Sequence, residues 1–114
     1  MKLAANDLGI ASKVKIYSAD VSTADIQEII EEGSPWVATV ATNPAVVGAV
    51  SVRAAALQIA GQEIPHQITV KPTLLTQESL RAAGVKTIED LAQKIPAFST
   101  SDAATASWIP DKLF

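Results

Sequence analysis

The spacing of apolar and polar positions changes several times along the chain, and each change predicts an element. Leu3, Ala4 and Leu8, with Gly9 behind them, read as the end of a helix over 2–9. Lys13-Val14-Lys15-Ile16-Tyr17 alternates polar and apolar in β-forming residues and predicts a strand ending near Ser18. Ser22-Thr23-Ala24-Asp25 is the Asp variant of a capping box, in which side chains at both ends satisfy the orphan N–H groups of a helix start. Ile26, Ile29 and Ile30 then form one stripe while Glu28, Glu31 and Glu32 face water, and Gly33 with Ser34-Pro35 stops the helix. Trp36-Val37-Ala38-Thr39-Val40-Ala41 is short and almost continuously apolar, the pattern of a strand buried on both faces.

Asn43 suits a helix N-cap and Pro44 a first helical residue. From there to Ala60 the residues are small and apolar nearly all round, with Gly61 as the stop. A helix of that kind is buried on more than one face, either at the centre of a compact core or between two protein bodies. Gln67-Ile68-Thr69-Val70 alternates as a strand would, but Pro72 cannot donate a ladder hydrogen bond. The extended path is expected to resume at Thr73-Leu74-Leu75-Thr76. Short helices are predicted at 77–83 and 87–94, the second capped by Thr87 with Asp90 at its third position. After Pro96, Ser99-Thr100-Ser101-Asp102 reads as a loose polar tail, whereas Trp108, Ile109, Leu113 and Phe114 are apolar enough to dock. Helices alternating with strands predict an α/β fold whose parallel strands are joined by right-handed crossovers.

Composition narrows the functions. A chain of 114 residues, 48% hydrophobic and 18% charged, has the makings of one packed domain. Its net charge is −3 and its nine Lys and Arg are scattered singly, so no basic face is offered to nucleic acid. Without cysteine there is neither a disulfide framework nor thiolate metal ligation. His66 stands alone in a Pro-His-Gln turn, with no Ser–His–acid pattern and no zinc spacing. No glycine-rich phosphate loop is present, so no nucleotide cofactor is expected, nor catalysis. The start, Met1-Lys2-Leu3-Ala4-Ala5, lacks the apolar stretch of a signal peptide, and no run approaches the ~18 apolar residues that would suggest a membrane span.

In open parallel sheets, ligands sit beyond the carboxyl ends of the strands. Two spots qualify: Ser18-Ala19-Asp20-Val21-Ser22 after the first strand and Thr42-Asn43-Pro44 after the second. Asp20 is the one carboxylate at such an edge, and a carboxylate can accept hydrogen bonds from two adjacent sugar hydroxyls. Thr42 and Asn43 can donate and accept beside it. Spacing alone leaves plainer roles open, a loop or capping residue for Asp20 and a simple N-cap for Asn43.

The same residues resemble a known family. Val14-Lys15-Ile16-Tyr17-Ser18-Ala19-Asp20 looks like the strand and terminal Asp of type I periplasmic sugar-binding proteins, the ribose-binding group. Ala38-Thr39-Val40-Ala41-Thr42-Asn43-Pro44, with Gly48 beyond, resembles their ATVAQNP…G signature. Gly61-Gln62-Glu63-Ile64-Pro65 and Pro72-Thr73-Leu74-Leu75-Thr76 are similar to their G-x-x-I-P turn and last crossing strand. The resemblance implies a parallel-strand βαβ segment of a partial, type I periplasmic-binding-protein-like fold, corresponding to about the last third of a full member. In that family two lobes, joined by three crossing segments, close on a sugar. On this basis 1–42 would belong to the C-terminal lobe, 43–71 to the crossing helix and strand of the other lobe, and 72–114 to a return segment and tail.

Asp20 falls where the family binds sugar hydroxyls. Thr42 stands where the family usually has a longer Gln, and Asn43 where capping and hinge roles are usual. The implied partners are a small-molecule sugar and the permease of an ABC importer, with the parent protein periplasmic or lipid-anchored outside the cell. An effector-binding domain of a LacI-type repressor shares the fold and much of the signature. Such domains usually stop soon after the last strand, whereas this chain continues from Thr76 to Phe114, which favours transport. With the other lobe largely missing, Val46, Val47, Val50, Leu57 and Ile59 would lack neighbours, and self-association through helix 44–60 is expected.

Overall fold

A computed structural model describes residues 1–110. Six helices and three strands follow in the order α1 (Lys2–Asp7), β1 (Ile16–Ala19), α2 (Thr23–Ile30), β2 (Trp36–Ala41), α3 (Pro44–Ile59), β3 (Thr73–Thr76), α4 (Gln77–Ala82), α5 (Ile88–Lys94) and α6 (Pro96–Ser99). The predicted caps are in place. Ser22 Oγ accepts the Asp25 N–H at 3.2 Å while Asp25 Oδ2 accepts the Ser22 N–H at 2.8 Å, closing the capping box of α2. Asn43 Oδ1 accepts the Ala45 N–H at 3.0 Å at the start of α3. Gly33 and Gly61, each with φ of 74°, adopt the left-handed backbone that ends α2 and α3 at little steric cost.

Several boundaries depart from the sequence reading. Strand β1 begins at Ile16 rather than Lys13, because Ala11–Lys13 winds into a 3-10 turn. Residues 67–70 form no ladder, despite their alternation. Both edges of β2 are taken by β1 and β3, which leaves that segment no central position to fill. Thr76 also caps α4, its Oγ1 accepting the Ser79 N–H at 3.1 Å. The stretch after Ile95 is a short helix whose Phe98 is buried in the core.

The sheet has the order β1-β2-β3. Strands β1 and β2 are parallel, with Ser18 opposite Thr39 and Ala19 opposite Val40. Strand β3 runs antiparallel to β2, which corrects the expectation of parallel strands throughout. The reason is the path between them. Ala41 pairs with Thr73, so the chain leaves β2 and re-enters β3 at the same edge of the sheet, and such a return reverses direction. Helix α3 and the segment after it form an excursion beyond that edge.

One face of the sheet carries the core. Ile26 and Ile29 from α2, Ala41 and Leu75 from the sheet, and Leu80, Leu91 and Phe98 from α4, α5 and α6 form one buried cluster. Each large side chain so buried contributes roughly 1.5–3 kcal/mol. The other face is barer. Val40 and Leu74 lie directly opposite one another there, 39% and 62% exposed, with Tyr17 also exposed. Strand β2 is therefore fully covered on one face only; on the other, Ala38 is buried and Val40 is open. On α3, Val50 and Leu57 are buried, contrary to the expectation that they lack neighbours, while Val47 and Ile59 are exposed as expected. The radius of gyration is 17.7 Å, against about 13 Å for a compact domain near this size.

Of the apolar tail, Trp108 is exposed and Ile109 half-buried. The expected docking of Leu113 and Phe114 lies outside the described residues. No helix among the described residues is long and apolar enough to cross a membrane.

Candidate functional site

Parallel pairing fixes which residues share a rim. Because β1 and β2 run the same way in the register Ala19 with Val40, the residues that leave them, Asp20 and Thr42, emerge at one edge of the sheet. Strand β3 enters at that edge, so Pro72 lies there too. Thus the outgoing crossing at Thr42-Asn43 and the returning one at Lys71-Pro72 run side by side. Both Asp20 and Thr42 are exposed.

Asp20 is held in an unusual way. Its φ is +74°, in the left-handed region, which costs a non-glycine residue about 1–3 kcal/mol and is tolerated best by Asn and Asp. Three hydrogen bonds hold it there. Its N–H donates to the Val40 carbonyl at 2.8 Å. Its own carbonyl accepts from the Thr39 hydroxyl at 2.6 Å. Its Oδ1 accepts the Val21 N–H at 2.8 Å. Strained backbone of this kind concentrates at ligand clamps and active sites, a functional signal that residue spacing could not supply. The helix that follows is anchored by the Ser22–Asp25 box two residues later, so the Asp20 turn is fixed on both sides.

The other two predicted residues differ. Asn43 is half-buried and uses its amide oxygen to cap α3, the plainer of the two roles its spacing allowed. Thr42 reaches the rim but has a short side chain, which limits how far it extends over a ligand. Thr39 was passed over in the sequence because a threonine inside an apolar run reads as one more core position. It is 1% exposed, and its hydroxyl is directed to the Asp20 carbonyl.

Beside the returning crossing, Thr69, Lys71 and Thr73 face Thr100, Ser101 and Asp102 across a hollow of about 420 Å³. His66 lines a different, polar hollow with Gln58, Gln62 and Glu63. Trp36 starts β2 at the edge opposite the rim; its indole N–H donates to Ser18 Oγ at 3.0 Å and its ring packs against the core. Among the described residues no three His, Cys, Asp or Glu side chains gather where a metal ion could be held. The rim offers a carboxylate and hydroxyl or amide groups, which suit hydrogen bonding to a neutral polyol.

No protein-family model matches the chain, and no curated protein matches it. Solved structures do match, two of them as follows. One is a 5-methylthioribose transporter solute-binding protein from Thermotoga lettingae in complex with 5-methylthioribose. It is 36% identical with a TM-score of 0.77, over 94% of this chain and 34% of that one. The other is a sugar ABC transporter protein from Yersinia enterocolitica subsp. enterocolitica, 31% identical with a TM-score of 0.72, over 94% of this chain and 32% of that one. The chain therefore spans about one third of the length of the proteins it matches.

Proposed function

Since the chain belongs with the type I periplasmic sugar-binding proteins and spans about one third of them, we propose that it supplies one wall of a sugar site in the binding component of an ABC importer. Asp20 would grip adjacent sugar hydroxyls, Thr42 would contribute a weaker contact, and Asn43 would serve the crossing into α3. Capture would proceed by hydrogen bonding, with no covalent step. The observation that carries this reading is the shared rim. A carboxylate held at positive φ emerges beside Thr42 from adjacent parallel strands, and both crossings run along the same edge.

The excursion at 43–71 supports the proposed division into 1–42, 43–71 and 72–114. It departs and returns at neighbouring points, as a segment of a second lobe would. The ligand class follows from the two matched structures, whose names give a thiosugar and a sugar transporter. Both are named as transport proteins, which favours transport over the repressor reading. In the parent protein the partner would be a membrane permease and the setting periplasmic or outside the cell. Self-association of this chain would use the exposed part of α3.

A titration of labelled chain with pentoses and hexoses, followed by amide chemical shifts, tests the site. Saturable shifts centred on Asp20 and Thr42, of millimolar affinity because one wall is present, are expected. Asp20→Ala should abolish them. Shifts centred elsewhere, or unchanged by that substitution, would remove the assignment.

A further inference from the structure

We infer that Thr39 is the positioning residue for Asp20, setting the direction in which the carboxylate leaves the sheet; this rests on the reading of Asp20 as the sugar-gripping group. The backbone at Asp20 is tied to β2 on both sides. The Val40 carbonyl takes its N–H and the Thr39 hydroxyl donates to its carbonyl. With both flanking peptide groups fixed, φ and ψ of Asp20 are fixed, and so is the direction of its Cα–Cβ bond. The first tie is ordinary sheet pairing, available to any residue at position 40. The second needs a side chain that donates from within β2, and only the hydroxyl at position 39 does so here.

The surroundings of Thr39 separate positioning from packing. It pairs with Ser18 on one side and Leu75 on the other, on the face that carries the core, and is almost wholly buried. Valine has the same shape and would satisfy the packing. A buried hydroxyl adds nothing to apolar contact and must find an acceptor. Its acceptor is the carbonyl of the exposed Asp20, which water could serve if the hydroxyl were removed. The hydroxyl thus matters for the conformation at the rim more than for the stability of the sheet.

Thr39→Val and Thr39→Ser test the inference in labelled chain, read by the intraresidue amide–α-proton NOE of Asp20, which is strong at positive φ. The unmodified chain and Thr39→Ser should show the strong NOE. Thr39→Val should lose it while keeping its denaturation midpoint. A strong NOE in Thr39→Val, or its loss in both variants, would overturn the inference. Should Thr39→Val fail to fold, the side-chain couplings of Thr39 in the unmodified chain decide: a single χ1 rotamer supports the inference and averaging over rotamers sinks it. Titration with D-ribose, read at the Asp20 amide, separates the two layers. No response alongside the expected NOE pattern would remove the sugar reading and leave Thr39 as the residue that orients Asp20.

Discussion

Arg53 and Ser101 are joined across the molecule: the Arg53 guanidinium Nη1 donates to the Ser101 carbonyl at 3.1 Å, from a side chain that is itself buried. The Ala103 carbonyl accepts from the same nitrogen at 3.5 Å. The stretch that reads in the sequence as a loose polar tail is thus fastened along α3. On α3, Arg53 shares the buried stripe with Val50 and Leu57.

Arg53→Met should loosen this attachment selectively. A hydrogen bond to a charged group contributes about 1.5–3 kcal/mol, and methionine retains the apolar stem. Amide hydrogen exchange is expected to speed up over 44–60 and 101–103 while α2 and β2 keep their protection. Uniform acceleration would mean that α3 and the sheet open as one unit.

Ser22→Ala removes half of the capping box that follows the Asp20 turn. A loss of about 1 kcal/mol is expected, within the usual range of 0.5–2 kcal/mol for an N-cap. Urea denaturation checks the magnitude. The Asp20 and Val21 amides should broaden or shift with it, because the cap also fixes where their turn ends.

Leu75→Ala asks whether β3 belongs to the same cooperative unit as β1 and β2. Leu75 is 1% exposed and lies in the cluster with Ile26 and Ile29. Truncations of this kind cost 2–5 kcal/mol, a large part of the roughly 5–15 kcal/mol that holds a domain together. Denaturation followed by Trp36 fluorescence, in a Trp108→Phe background that removes the other tryptophan, should shift to much lower urea. An unchanged midpoint would place β3 outside the unit that Trp36 reports.

Asp90 gives the pH dependence a sign. Its ion pair with Lys94 at 2.8 Å, helped by the Lys86 N–H, holds its carboxyl below the usual carboxylate range. A carboxyl depressed in the folded state adds stability that is present above its unfolded pKa, about 3.9, and is lost as pH falls through the lower folded value. Asp90→Asn should therefore be less stable than the unmodified chain at pH 6, with the gap closing below about pH 4. A gap constant across that range would assign the effect of the substitution to the amide rather than to the charge.

Elements whose signals are local were legible in the sequence. The Ser22–Asp25 box, the Asn43-Pro44 start, the Gly33 and Gly61 stops and the Thr87 cap each need only a few consecutive residues, and each stands where its pattern put it. What escaped depends on partners far along the chain. The reversal of β3 follows from Ala41 meeting Thr73, a pairing no local pattern encodes. Phe98 carries no local signal, and only the assembled α2–α4–α5 cluster explains its burial. At the rim, the strand ends pointed to Asp20 and Thr42, which leave adjacent parallel strands at one edge of the sheet. The positive φ of Asp20 and the tie from Thr39 remained hidden, because an aspartate enters a helix cap by several backbone routes and a threonine suits any strand.

The exposed apolar groups predict how the chain behaves as concentration rises. Val47, Val52 and Ile59 are exposed on α3, and Tyr17, Val40 and Leu74 on the bare face of the sheet. Exposed apolar groups on one element are candidates for association. If α3 is the contact, as proposed, light scattering should show mass rising with concentration for the unmodified chain and for Leu74→Lys, but not for Ile59→Glu. If Leu74→Lys is the variant that stays monomeric, the contact lies on the sheet instead, since a buried lysine there would oppose pairing while leaving α3 untouched. A clean monomer for the unmodified chain at high concentration would show that neither surface associates.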